Sequence, residues 1–168
     1  PGIEMTTGAL GHGLGVGVGL ALAARLDGAR HHIFVLLGDG EIDAGIIWEA
    51  AMTANKYHLD NLTAILDLNG VQLDGPTQEI MPLEPVRDKW EAFGWHTLEI
   101  DGHNVREILE ALGLVANIHG KPGIIIAHTT KGKGVSFMEN RAAWHGHPPN
   151  EAEYEAALAE LIGGGAYA

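Results

Sequence analysis

Four short apolar runs, Ile33 to Leu37, Leu62 to Leu68, Trp95 to Ile100 and Gly123 to Ala127, alternate along the chain with segments of helical period. The first, second and fourth are nearly continuous in Ile, Val, Leu and Ala, the pattern of strands covered on both faces. Between them, Asp43 to Tyr57 reads as a helix capped by Asp43, and Val86, Trp90 and Phe93 recur at three- and four-residue spacing. Asn104 is placed to cap a helix in which Val105, Ile108, Leu109, Leu112 and Val115 share one face, with Gly120 past its end. A last helix follows Asn150, with Glu153 at the capping-box position and Tyr154, Ala157, Leu158 and Leu161 turned inward. Strand, helix, strand, helix predicts an α/β fold, a doubly wound and mainly parallel sheet with helices on both faces. At 168 residues there is length for one core, so residues 1–162 are expected to form one domain and 163–168 a flexible tail.

The opening "GALGHGLGVGVGLALAARLDG" resists this pattern, because glycines at 11, 13, 15, 17 and 19 alternate at a strand-like period while "LALAARL" favours a helix. Each glycine inside a helix costs about 1 kcal/mol relative to alanine, which is tolerated where a backbone must approach another closely. The segment is therefore expected to be a tightly packed helix preceded by a turn that exposes its backbone. It is not a dinucleotide fingerprint, since no strand precedes it and the third glycine or alanine is missing.

Composition narrows the partners. Ten Lys plus Arg against 22 Asp plus Glu give a net charge of -12, so a nucleic acid or an anionic membrane surface would be repelled. Without cysteine there is no disulfide framework, thiolate nucleophile or zinc knuckle, which suits a reducing cytoplasm. No apolar run has the length of a membrane span, and no signal peptide opens the chain.

In a parallel sheet, ligands gather outside the carboxyl ends of the strands, so the residues that end them are the first candidates. Asp39 ends one run inside "GDG" and Asn69 ends the next. If those strands are neighbours, a carboxylate and an amide oxygen lie side by side, and the turn at Gly70 can aim the Val71 carbonyl at the same point. Three hard oxygens with room for water and phosphate oxygens suit Mg²⁺. Gly40 lets backbone pass close to a phosphate, and a helix starting near Asp43 points its free N–H groups the same way. Gly-Asp-Gly alone is more often a plain turn, and Asn69-Gly70 alone is a good hairpin turn. A hairpin, however, needs a second strand directly afterward, and "VQLDGPTQEIMP" is broken by Gly75, Pro76 and Pro82, which favours a long rim loop.

Gly38-Asp39-Gly40 followed thirty residues after Asp39 by Asn69 resembles the thiamine diphosphate motif, which begins GDG and closes with Asn. The stretches "PGIEMTTGALGHGL", "GDGEIDAGIIWEAAMTANKYHLDNLTAILDLNGVQLDGPT", "DKWEAFGWHTLEIDGHN" and "TTKGKGVSFMENRAAWHGHPPNEAEYEAAL" resemble the transketolase family, from Pro1 to about Leu161. The resemblance is strongest to the amino-terminal subunit of split, two-gene transketolases. It implies the thiamine diphosphate-binding fold, with Asp39, Asn69 and the Val71 carbonyl on Mg²⁺, for which Ca²⁺ or Mn²⁺ can substitute. Gly40 and Asn69 would touch the diphosphate, and the turn at Gly8, Ala9 and Leu10 would present backbone to the cofactor. Lys131 in "TKGKG" and His145 in "WHG" match family residues that reach the diphosphate and the sugar, and His145 is the catalytic candidate. By itself a lysine among glycines is a reasonable anion site, whereas a lone histidine among ten carries little weight.

The implied activity is transfer of a two-carbon ketol unit between phosphorylated sugars by a cytoplasmic enzyme of the pentose phosphate pathway. It would be active with a carboxyl-terminal partner subunit, as a heterotetramer. Two family features have no counterpart in this sequence: the long segment before "PGIE", with histidines that face cofactor and substrate, and the domain whose glutamate activates the aminopyrimidine ring. Ala44 stands where the family usually carries an interface glutamate, and Ala9 where it usually carries proline. The alternatives weighed are a 1-deoxy-xylulose-5-phosphate synthase, which "TTGALGHGL" and "AAWHG" disfavour, and a cofactor-binding but inactive regulatory subunit, which Ala44 alone supports.

Overall fold

The computed structural model describes residues 2–163; the tail expected at 163–168 lies outside them except for Gly163, which ends the last helix. In chain order the elements are α1 (His12–Leu26), β1 (Ile33–Gly38), a 3-10 turn (Gly40–Asp43), α2 (Gly45–Lys56), β2 (Leu62–Leu68) and the two-residue strands β3 (Val71–Gln72) and β4 (Gly75–Pro76). They are followed by α3 (Thr77–Ile80), α4 (Val86–Ala92), β5 (His96–Asp101), α5 (Val105–Val115), β6 (Gly123–His128), a second 3-10 turn (Ala142–Trp144) and α6 (Glu151–Gly163). Four strands form one sheet, parallel as the alternation of strands and helices predicts, and the structure sets their order as β1-β2-β6-β5.

Strand alternation divides the core in two. Leu37, Leu62, Ala64, Leu66, Ile124 and Ile126 face one way and pack with Leu14, Val18 and Ala21 of α1, Ile47, Ala51 and Ala54 of α2, and Trp90 of α4. Ile65, Leu98, Ile100 and Ile125 face the other way, under Ala111 and Val115 of α5. The expected helices on both faces are therefore present. The glycine-rich opening is a helix pressed against the sheet: a Cβ at Gly17 would lie 2.5 Å from Val35 Cγ2 and 3.3 Å from Leu62 Cδ1.

Several expectations need correction. β1 is an edge strand covered on one face only, because α5 packs over β5 and β6, and Phe34 and Leu36 stay exposed. On α5 the buried residues are Ala111 and Val115, while Val105 and Leu109 are exposed, so the packed stripe is rotated from the one read by period. Helix α6 has its capping box, Glu153 N–H to Asn150 Oδ1 at 3.0 Å and Asn150 N–H to Glu153 Oε2 at 2.8 Å, yet Tyr154 and Leu158 are exposed rather than inward. Trp95 precedes β5 instead of opening it; its indole is buried and donates to the Ala51 carbonyl at 3.1 Å. The rim loop after Asn69 contains the short antiparallel pair β3 and β4, which turns at Leu73-Asp74 and not at Asn69-Gly70.

Candidate functional site at the carboxyl rim of the sheet

Asp39 follows the last residue of β1, and the register pairs Gly38 with Asp67 of β2, so Asp39 and Asn69 come from neighbouring strand ends. Asp39 is 2% exposed. Its Oδ1 accepts the Gly40 N–H at 2.7 Å and its Oδ2 the Gly70 N–H at 2.6 Å. The Asn69 amide oxygen accepts the Val71 N–H at 3.0 Å, folding the loop back on itself. Each of these oxygens keeps a further lone pair for a cation. Burial pushes the Asp39 carboxyl above its usual range and the Asp67 carboxylate adds to this, against the Gly40, Gly70 and Asn69 N–H groups, which pull it down. No ion pair among the described residues neutralises Asp39.

A buried, unpaired carboxylate with an amide oxygen beside it fits a hard cation that brings its remaining ligands with it. No cluster of three His, Asp or Glu among the described residues could hold a metal, so any cation at this rim depends on neutral oxygens as well as on Asp39.

The local folding reason differs from the one expected. Asp43 does not cap α2; residues 40–43 form a 3-10 turn capped by Asp39, and α2 begins after Ala44, which makes no side-chain cap bond. The Gly40 N–H is taken by Asp39, and the direction a Gly40 side chain would occupy is filled by Gln72, whose Cβ would lie 3.0 Å from it. Close packing of the GDG loop on the β3 strand is thus one requirement for glycine at position 40.

Gly8, Ala9 and Leu10 form an exposed turn before α1, as expected. What fastens it was not visible in the sequence. Gly11, at a φ of 86°, donates its N–H to Glu41 Oε1 at 2.8 Å, and Glu41 Oε2 accepts the Gly38 N–H at 3.1 Å. A Glu in a GDG-E string carries no signal that it reaches back thirty residues.

Lys131 lies half-buried just past β6. Its segment is tied to the same rim, because Thr129 N–H donates to the Leu68 carbonyl at 3.2 Å and the Thr129 hydroxyl donates to Asp67. Thr130 N–H donates to His103 Nε2 at 2.7 Å, a second tether that sequence reasoning missed. His145 sits apart, exposed at the end of the second 3-10 turn, with no side-chain hydrogen bond among the described residues. Trp144 anchors that turn through its indole N–H to the Phe137 carbonyl at 3.0 Å. The structure brings Asp39, Gly40, Asn69, Val71 and the Lys131 segment to one rim and links the turn at 8–10 to it through Glu41, while no hydrogen bond among the described residues ties the His145 side chain to that rim. Two open depressions, of about 290 and 300 Å³, lie elsewhere, at Met52 and Phe93 and at Arg87 and Lys121. Among the described residues no helix is long and apolar enough to cross a membrane.

A family profile described as transketolase, thiamine diphosphate binding domain, matches residues 1–163. One of the subunits of the apulose-4-phosphate transketolase of Phocaeicola vulgatus is 52% identical over 161 residues, which are 96% of this chain and 57% of that protein. The 6-deoxy-6-sulfo-D-fructose transketolase subunit SqwG of a Clostridium species is 51% identical, over 95% of this chain and 58% of that protein. The crystal structure of transketolase from Campylobacter jejuni is similar at a TM-score of 0.88 and 36% identity, over 96% of this chain and 26% of that one. The chain spans little more than half the length of the transketolase subunits it matches.

Proposed function

Since this chain belongs to the transketolase family, through its thiamine diphosphate-binding domain, we propose that it holds the diphosphate end of thiamine diphosphate through Mg²⁺ and supports transfer of a two-carbon ketol unit between phosphorylated sugars. The observation that carries this reading is Asp39: an acid 2% exposed, without an ion-pair partner among the described residues, fixed by N–H groups from two strand ends where a parallel sheet collects its ligands. Asp39, the Asn69 amide oxygen and the Val71 carbonyl would hold Mg²⁺, with Ca²⁺ or Mn²⁺ able to replace it, since all three are hard oxygen donors.

The bound cofactor supplies a thiazolium carbon that stabilises the transferred unit as a carbanion. The residues of this chain supply placement and charge. Backbone of Gly8, Ala9, Leu10 and Gly40 lines the diphosphate together with Asn69, and Lys131 adds a cation from the β6 side. His145 donates a hydrogen bond to the sugar or to oxygen that becomes negative during transfer. We assign the part of the acid that activates the aminopyrimidine ring to a partner chain or domain. That assignment agrees with relatives named as subunits and with the net charge of -12, which leaves few cations for a sugar phosphate. A carboxyl-terminal transketolase subunit in a heterotetramer is the partner we assign.

The test is titration with thiamine diphosphate and Mg²⁺, followed by a ketol-transfer assay with and without the co-purified partner. Binding with partner-dependent turnover is expected. Substantial turnover by this polypeptide alone, shown free of other protein by mass spectrometry, would overturn the divided site.

A further inference from the structure

Glu41 joins two segments that the proposed function makes neighbours of the diphosphate. Its Oε1 accepts from Gly11, directly after the turn at 8–10, and its Oε2 accepts from Gly38, directly before Asp39. The carboxylate itself is well placed to do this. The 3-10 turn that carries it is pinned on one side by buried Ile42, whose carbonyl accepts the Trp48 indole N–H at 3.0 Å, and on the other by the Asp39 cap. Gly11 is equally constrained: its φ of 86° favours glycine, and a Cβ there would meet Ile46 Cγ2 at 2.6 Å and Ala44 Cβ at 2.9 Å. Neither end of the bridge can drift without disturbing a packed contact.

We propose that Glu41 is a positioning residue, a two-pronged carboxylate that holds the turn at 8–10 and the GDG loop at a set spacing so that both present backbone to one diphosphate. The proposal rests on the reading of the rim as a diphosphate site. Glu41 reaches Gly11, thirty residues away, and both donors, Gly11 and Gly38, adjoin the backbone assigned to the cofactor. Glutamine has almost the same shape but a single carbonyl oxygen, so Glu41→Gln can serve one N–H well and meets the other with an NH₂.

Isothermal titration of the assembled enzyme with thiamine diphosphate and Mg²⁺ compares wild type with Glu41→Gln and Glu41→Ala, beside amide hydrogen exchange at Gly11 and Gly38 without cofactor. We expect Glu41→Gln to weaken cofactor affinity about tenfold, the size of one charge-assisted hydrogen bond. Exchange at Gly11 or Gly38 should quicken, and the KM for cofactor should rise while kcat at saturating cofactor falls much less. Glu41→Gln is close enough in shape to fold even if Glu41→Ala does not. A folded Glu41→Gln enzyme that binds cofactor as wild type does overturns the proposal and leaves the site standing. Wild-type enzyme that binds no cofactor overturns the diphosphate reading, and the positioning role with it.

Discussion

The Gly70 N–H donates to Asp39 Oδ2 at 2.6 Å, so one carboxylate ties together the ends of two neighbouring parallel strands. The same group is the charged ligand of the proposed cation site, which makes its removal informative. Asp39→Ala should abolish Mg²⁺-dependent cofactor binding in the assembled enzyme, and Asn69→Ala should weaken it. Leaving the Gly40 and Gly70 N–H groups without their acceptor should also cost about 1–3 kcal/mol of stability. Isothermal titration of a folded Asp39→Ala enzyme checks this, and unchanged thiamine diphosphate affinity would sink the metal assignment.

His145 offers the opposite balance. Its side chain is exposed and makes no hydrogen bond among the described residues, so His145→Ala should change stability by no more than about 0.5 kcal/mol. Turnover of the assembled enzyme should fall by roughly 10²-fold if the imidazole acts on the substrate. Steady-state kinetics beside a thermal melt decides it: a lowered melting temperature with normal turnover would make the residue structural.

The glycines of α1 separate packing from propensity. Gly17→Ala should destabilise by about 1–3 kcal/mol, because its Cβ would meet Val35 Cγ2 at 2.5 Å. Gly15→Ala, with nothing within 4 Å, should stabilise by about 0.5–1 kcal/mol through backbone entropy. Denaturant titration of the two variants should give shifts of opposite sign; equal shifts would show that α1 does not press on the sheet as described.

Acid should loosen the end of the sheet opposite the site. Burial pushes Asp60 upward, but the Gly120 N–H at 2.9 Å and the Arg25 guanidinium at 2.5 Å together hold it below the usual carboxylate range. A depressed folded pKa means stability that is present above the unfolded value of about 3.9 and lost as pH falls below it. Asp60→Asn should therefore melt below wild type at neutral pH, with the gap narrowing as pH falls below that unfolded value. Melting curves across pH that keep a constant gap would contradict the linkage.

The sequence by itself determined the order of strands and helices, their parallel sense and the two strand ends that carry Asp39 and Asn69. Those features rest on local period, on capping residues such as Asn104 and Asn150, and on the chirality of strand-helix-strand units, all of which are written within a few residues of each other. The family resemblance was legible for the same reason, since its motifs are contiguous strings. Only the tertiary structure decided which apolar residues are covered. Period places Leu109 and Leu158 on faces but cannot say whether a neighbour lies there, and both are exposed, as are Phe34 and Leu36 on an edge strand whose outer face α5 does not reach. The same holds for the tethers of the rim. Glu41 to Gly11, Thr130 to His103 and Thr129 to Asp67 join segments between 27 and 62 residues apart. A hydrogen bond of that kind has no period and no local motif; it exists because folding brings two strand ends and a helix start to one edge of the sheet.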